Sequence, residues 1–348
     1  MTVLGILDQS PIRTNGTPAD AIAETLELAQ AADRLGYARY WLAEHHASGG
    51  LAGTAPEVLI GQVAARTSAI RVGSGGIMLT HYSALKVAEC FRMLETLFPG
   101  RIDLGVGRAP GSDARTARAL RHGPGALPLE RFPEQVADLV GFIHDALPPD
   151  HPFAGVRAMP AGPGAPEVWL LGTSDESAAW AARLGASFSW AHFINADGGG
   201  EITRAYRRAF RPSPWVAAPR SSVAAFAIAA DSEAEARRLT QSRDLYLARL
   251  YTGRTSAVPS VEEAEAHRWT DQELAIVQHT RRRTLAGTPE QVRDRLLELA
   301  AEYEADELMV VTITHDFKAR LRSYELLAQA FGLTRRDSPA PPGAPAAP

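Results

Sequence analysis

The stretch ARYWLAEH, residues 38–45, is a near-continuous apolar run that gives way to HASGG, residues 46–50. A strand exposed on one face alternates apolar with polar residues, whereas a parallel strand covered on both faces reads as an almost unbroken apolar run. The stretch therefore predicts a buried parallel strand. Its flanks predict how the sheet is built. Upstream, Thr17, Pro18 and Gly36 supply the cap, the first-turn proline and the stop of a helix over 18–35. Downstream, Pro56 opens a second helix over 56–68.

The same alternation repeats outward from there. Further strands are predicted at 3–9, 70–79, 101–108, 167–173, 186–193, 221–230 and 307–313, separated by helical patterns. Residues 109–130 and 148–166 read as long loops, and 231–284 as a helical region with an irregular insert. Eight strand–helix units in one uninterrupted chain predict an α/β fold, a (β/α)8 TIM barrel with a long insertion before the last β/α unit. A two-domain doubly wound protein is the alternative, but no Pro/Gly linker divides the chain. The barrel is assigned to residues 1–334 and a disordered Pro/Ala-rich tail to 335–348.

Composition narrows the function classes. The 348 residues carry a net charge of −4, so nothing recruits nucleic acid or an anionic membrane by electrostatics. The basic cluster HTRRRT, residues 279–284, is read as a solvated helix face. Cys90 is the only cysteine, which excludes an internal disulfide and a cysteine-based metal site and fits a reducing cytoplasm. There is no signal-peptide pattern, and no apolar run reaches the span of about 20 residues that a membrane helix needs. The expected location is cytoplasmic.

A barrel of this kind places its chemistry at the C-terminal ends of its strands. Glu44, His45 and His46 stand at one such end. Successive strand side chains point to opposite faces, so Glu44 and His46 share a face and His45 looks away. They cannot converge on one ion without a sharp bend, and no metal site is assigned. Local pairing is the preferred reading for Glu44 and His46. Gly75 and Gly76 lie inside a strand, where glycine marks either bare backbone for a flat ligand or crowding in the barrel, and both readings stand. Arg108 ends the strand 101–108; Thr173 and Ser174 end the next one, with Ser177 in the first turn of the following helix. A cation beside hydroxyls and free N–H groups suits a phosphate, although a plain helix cap explains the second group equally well when taken alone. There is no Walker loop and no strand-linked G-x-G-x-x-G.

Six motifs in order, YWLAEHH (40–46), VGSGGIML (72–79), FPGRIDLGVGR (98–108), LLGTSDESAAWAA (170–182), SFSW (187–190) and AGTPEQV (286–292), make the chain resemble the bacterial luciferase-like flavin monooxygenases. It looks most similar to the single-chain branch, which includes tailoring oxygenases of antibiotic and polyketide pathways. The resemblance implies a flavin-dependent monooxygenase that uses reduced FMN and O2, through an oxygen adduct at flavin C4a, to oxygenate a small organic substrate. It also implies a separate, transient flavin reductase and a homodimer formed through 56–68 and 84–98. Residue by residue, it implies that Arg108, Thr173, Ser174 and Ser177 hold the FMN phosphate. Gly75 and Gly76 would be joined by a cis peptide under the flavin ring, Trp190 would stand beside that ring, and His45 would be the acid/base group. Gly107 occupies the place of a reactive cysteine and Thr173 that of a glutamate, and the insert at 252–284 departs from the family's lid. Two rivals share the fold: an oxidoreductase using the deazaflavin F420, and a non-catalytic flavin-binding subunit. A phosphate-sugar isomerase or aldolase would want a lysine or a carboxylate pair at the strand ends, and neither is seen.

Overall fold

Nine strands form one parallel sheet in the structure, a computed structural model that describes residues 3–121 and 128–336. They are β1 Val3–Asp8, β2 Arg39–Leu42, β3 Arg71–Met78, β4 Ile102–Gly107, β5 Glu167–Gly172, β6 Ser187–Ala191, β7 Ser221–Ala229, β8 Thr284–Gly287 and β9 Glu307–Val311. Eight of them close into a barrel. β1 to β7 pair in sequence, β7 pairs with β9, and β9 returns to β1 with Val3 opposite Glu307. β8 stays outside that ring and pairs only with the C-terminal half of β7, Phe226 opposite Thr284.

The predicted (β/α)8 barrel is thus present, with differences along the chain. The strand read as the eighth is the ninth in order, because the region read as helical to residue 284 ends in β8. Four residues, TLAG, are too short to show a period. The insertion before them is built from helices Glu233–Tyr251, Val261–Glu265 and Asp271–Arg281. The stretch read as a loop over 109–130 contains a helix, Ala114–Leu120, whose first N–H groups are accepted by the Asp113 carboxylate at 2.8 and 3.0 Å. Within the basic cluster His279, Arg281 and Arg282 are exposed, as a solvated helix face requires, although Arg281 pairs with buried Asp244 at 2.7 Å; Arg283 departs from that reading and is buried. Arg336, read as tail, forms an ion pair with Asp33 at 3.0 Å; the rest of the tail lies outside the described residues. Among the described residues no helix is long and apolar enough to cross a membrane.

Strand alternation splits the core in two. Leu4, Ile6, Tyr40, Leu42, Leu104 and Val106 point outward into the layer shared with the helices. Leu7, Trp41, Trp169, Ala224 and Met309 point into the barrel. The N-terminal end of the barrel is plugged by charge. Arg39 binds Asp103 at 2.6 Å, Glu307 at 2.6 Å and Glu167 at 3.0 Å. Those three carboxylates hold the guanidinium in its charged form against the cost of burial. Above this floor, Trp41 donates its Nε1–H to Asp103 at 2.9 Å and meets Trp169 edge-on at 5.3 Å between ring centroids. Only the C-terminal end of the barrel is left open for a ligand.

Candidate active site

A cavity of about 630 Å³ occupies that open end. Its floor is made by Leu7, Trp41, Gly75, Gly76 and Leu171. A Cβ on Gly75 would stand 2.5 Å from Leu7 Cδ1, and one on Gly76 would stand 2.6 Å from Leu171 Cδ1 and 2.7 Å from the carbonyl oxygen of Gly105. The barrel is crowded there, and the glycine backbone also lines the cavity, so the structure is compatible with both readings of the pair. The Gly75–Gly76 peptide is cis.

One end of the cavity is shaped for an anion. β4 and β5 are paired with Gly107 opposite Leu171, which brings the residues that follow each strand together. Arg108, Thr173, Ser174 and Ser177 all line the cavity. Ser174 caps the helix Asp175–Leu184, accepting the Ser177 N–H at 3.3 Å, and the two hydroxyl oxygens are 3.1 Å apart. The positive end of that helix therefore faces the same space as the guanidinium. Arg108 lies over the Trp180 ring at 5.3 Å and donates to Glu176 at 2.7 Å.

The end of β2 is organised around Glu44, which is fully buried. Its carboxylate accepts from the Met78 N–H at 2.9 Å and the Tyr82 hydroxyl at 2.7 Å, and lies 2.7 Å from His46 Nε2. Glu44 and His46 thus pair locally, as expected, through a 2.7 Å contact made beyond the end of the strand. β2 ends at Leu42, three residues before the predicted end, and the chain then turns through Ala47 at φ 51°. His45 lies between the strand end and that turn. Its backbone N–H bonds the Gly53 carbonyl at 2.8 Å, and its buried Nδ1 has no partner among the described residues. Burial, with His46 beside it, pushes the ring down to about 4. His45 is not among the residues lining the cavity; the loop it belongs to touches the cavity's rim, where the His46 N–H bonds the Gly111 carbonyl at 3.0 Å.

Trp190 is also away from the cavity. Ser189 and Ala191 line it, so Trp190 between them points outward, where its Nε1–H donates to the Asn195 carbonyl at 2.8 Å. The aromatic ring on that wall belongs instead to Phe193. Trp41, Leu7 and Phe193 are lining residues that motif reading passed over. The strand period would have found the first two, since each sits on the inward face near the end of its strand. Among the described residues no group of three or more His, Cys, Asp or Glu side chains is arranged to hold a metal ion.

A family model describing luciferase-like monooxygenases matches residues 2–306. The chain belongs to this family. It is 48% identical to the Bacillus subtilis protein YwcH over 95% of this chain and 99% of that one. It is 41% identical to the N-acetyl-S-alkylcysteine monooxygenase of Bacillus subtilis over 97% of this chain and all of the relative. Among solved structures, apo-MsnO8 superposes with a TM-score of 0.87 at 40% identity, covering 97% of this chain and all of that one. The fold alone is shared with the oxygenating constituent of 3,6-diketocamphane monooxygenase from Pseudomonas putida in complex with FMN, at 17% identity, 97% and 99% coverage and a TM-score of 0.68. It is likewise shared with an F420-dependent secondary alcohol dehydrogenase, at 13% identity, 94% and 98% coverage and a TM-score of 0.69. The luciferase-like monooxygenase described here is accordingly an enzyme of the oxidoreductase class.

Proposed function

We propose that this luciferase-like monooxygenase binds reduced FMN in the cavity and oxygenates a small organic substrate with O2. The observation that carries the reading is the convergence of Arg108 with the hydroxyls of Thr173, Ser174 and Ser177 at one end of a cavity floored by bare glycine backbone. The residues present fit the group: a cation, three hydroxyls and a helix N-terminus for a phosphate, and a flat apolar floor for a ring system. The volume of about 630 Å³ falls within the roughly 300–1,000 Å³ of cofactor and ligand sites. When bound, the reduced flavin supplies the electrons that activate oxygen.

The chain's own part is to bind, orient and keep the site dry. Leu7, Trp41, Leu171 and Phe193 line it with apolar surface, which excludes water and strengthens every polar contact made inside. His45, neutral at neutral pH, is the candidate proton-handling residue through its unpartnered Nδ1, although it stands behind the residues that line the cavity. A relative named for an N-acetyl-S-alkylcysteine supports an organic thioether as the substrate class to test first. A separate reductase supplies the flavin, and the chain works in the cytoplasm as a homodimer, for which the exposed Val58, Met93 and Leu97 on the helices Pro56–Arg66 and Ala84–Leu97 offer apolar surface. A role in antibiotic or other secondary metabolism rests on the sequence resemblance alone.

Equilibrium titration of the purified protein with FMN, riboflavin and F420 tests this. FMN should bind tighter than riboflavin, and Arg108→Ala should lower FMN affinity by about tenfold or more while leaving riboflavin unaffected. Equal binding of FMN and riboflavin, or preference for F420, overturns the proposal.

A further inference from the structure

Arg243 is fully buried, and none of its three guanidinium nitrogens has a hydrogen-bond partner among the described residues. It projects from the helix Glu233–Tyr251, on the face it shares with Tyr246 and Leu247 three and four residues on. Those two residues belong to the apolar cluster over the barrel mouth that includes the cavity-lining Leu7 and Trp41, with Phe193 packed against it. The guanidinium sits 4.0 Å above the Phe226 ring, and Phe226 meets Phe193 edge-on at 5.3 Å. Two aromatic rings therefore separate a cation without a hydrogen bond from the cavity.

Its surroundings neutralise it only in part: it forms a loose ion pair with Asp244 and no hydrogen bond among the described residues. Asp244 is 3.8 Å away, beyond hydrogen-bond reach, and spends its other oxygen on Arg281 at 2.7 Å. Arg283 lies beside the same space, donating to the carbonyl of the cavity-lining Ile194 and to the Tyr251 hydroxyl, with its own Nε unpartnered. Arg243 and Arg281 thus share the one carboxylate of Asp244, with Arg283 adding a further cation beside Arg243. A buried charge without an acceptor is among the most costly features a fold can hold, and it persists where something else supplies the counter-charge. The cofactor phosphate cannot be that group on the proposed binding mode, because the phosphate end lies at β4 and β5, whereas Arg243 stands against β7 on another side of the ring.

We propose that Arg243, flanked by Arg283, is the recognition point for a carboxylate of the substrate, reached from the cavity when the Phe193 and Phe226 rings turn aside. The planar fork of arginine suits bidentate capture of a carboxylate. The two rings keep the guanidinium out of water until a carboxylate arrives with enough apolar body to displace them. This rests on the cavity being the substrate's site and restricts the substrate to organic acids.

Calorimetric titration of the full chain, with and without FMN, tests it using three acids each set against its carboxamide: acetate, phenylacetate and N-acetyl-S-methylcysteine. The wild type should bind the larger acids about tenfold or more tighter than their amides. Arg243→Met should erase that preference, leave FMN affinity unchanged, and melt at or above the wild-type temperature, since it removes a buried charge that no hydrogen bond satisfies and leaves Asp244 paired with Arg281. No acid-over-amide preference anywhere in the panel overturns the proposal, and that comparison needs no variant. A preference retained in Arg243→Met overturns it as well. So does a melting temperature lowered by several degrees, which would make Arg243 a structural partner of Asp244. Acid preference in a protein that does not bind FMN would sink the flavin reading and leave this one standing; FMN binding without acid preference would do the reverse.

Discussion

Arg108 and Glu176 meet across the rim of the cavity, with Nη1 2.7 Å from Oε2. Both side chains are substantially exposed, so the pair contributes about 0–1 kcal/mol to stability. Its consequence lies in binding. An incoming phosphate must take Arg108 from a carboxylate that then stays nearby as a like charge. Glu176→Gln should therefore tighten FMN binding by about two- to tenfold at low salt, with the gain shrinking as ionic strength rises, and leave the urea midpoint unchanged. Weaker FMN binding in this variant would show that Glu176 holds Arg108 in its productive position.

Glu44 serves a different purpose, since no solvent reaches it. Its carboxylate ties the end of β2 to the Met78 N–H and the Tyr82 hydroxyl, and Met78 lines the cavity. Glu44→Ala strands donors in a buried site at about 1–3 kcal/mol each, so a loss of about 3 kcal/mol or more in urea denaturation is expected. A change under about 0.5 kcal/mol would mean that the loops find other acceptors and that Glu44 does not fix the cavity wall.

The charged floor yields a prediction that separates stability from binding. Arg39 holds Asp103, Glu167 and Glu307 at the N-terminal end of the barrel, remote from the cavity. Arg39→Met removes the most buried of their cations, while Arg71 stays 2.6 Å from Asp103 and Arg220 2.6 Å from Glu307, and should cost about 1–3 kcal/mol. FMN affinity of the folded fraction should not move. A parallel loss of FMN affinity would show that the floor and the site are coupled through the Trp41–Trp169 layer.

The barrel was legible in the sequence because parallel strands announce themselves as apolar runs, and because Thr17, Pro18 and Gly36 punctuate the first helix as clearly as any residues in the chain. That Arg108 and Ser174 would line one cavity was legible for a related reason: a strand-end rule and chain order bring them together without reference to contacts. What escaped depends on side-chain direction. Trp190 carried the right motif, yet Ser189 and Ala191 take the inward face, and a residue between them has to look outward. Arg243 left no trace, since an arginine in a polar helical stretch reads as solvated until a neighbouring element is known to cover it. β8 escaped through brevity, and His45 because β2 stops at Leu42, earlier than its apolar run suggested.

Three histidines set the pH response. Burial pushes His45, His144 and His192 each down to about 4, with His46, Arg92 and Arg283 respectively adding repulsion. The ordinary histidine value is 6.5. Between 6.5 and about 4 the unfolded chain binds protons at these positions and the folded chain does not, so stability rises with pH across that window. Their contribution is complete above pH 6.5 and is lost as the pH falls toward 4. The depressed carboxylates add little there: Asp8, held below the usual range by Arg320 and Tyr40 despite its burial, and Glu273, held at about 2, matter at lower pH. Urea midpoints measured from pH 7 down to pH 4.5 should fall, with the uptake of up to three protons on unfolding offset in part by Glu95 and Asp244, whose carboxyls burial pushes up. His45→Asn should remove one of those protons and flatten the curve accordingly. Midpoints that hold constant over the window would mean that these imidazoles titrate normally, and His45 could then carry a proton at neutral pH as a general acid.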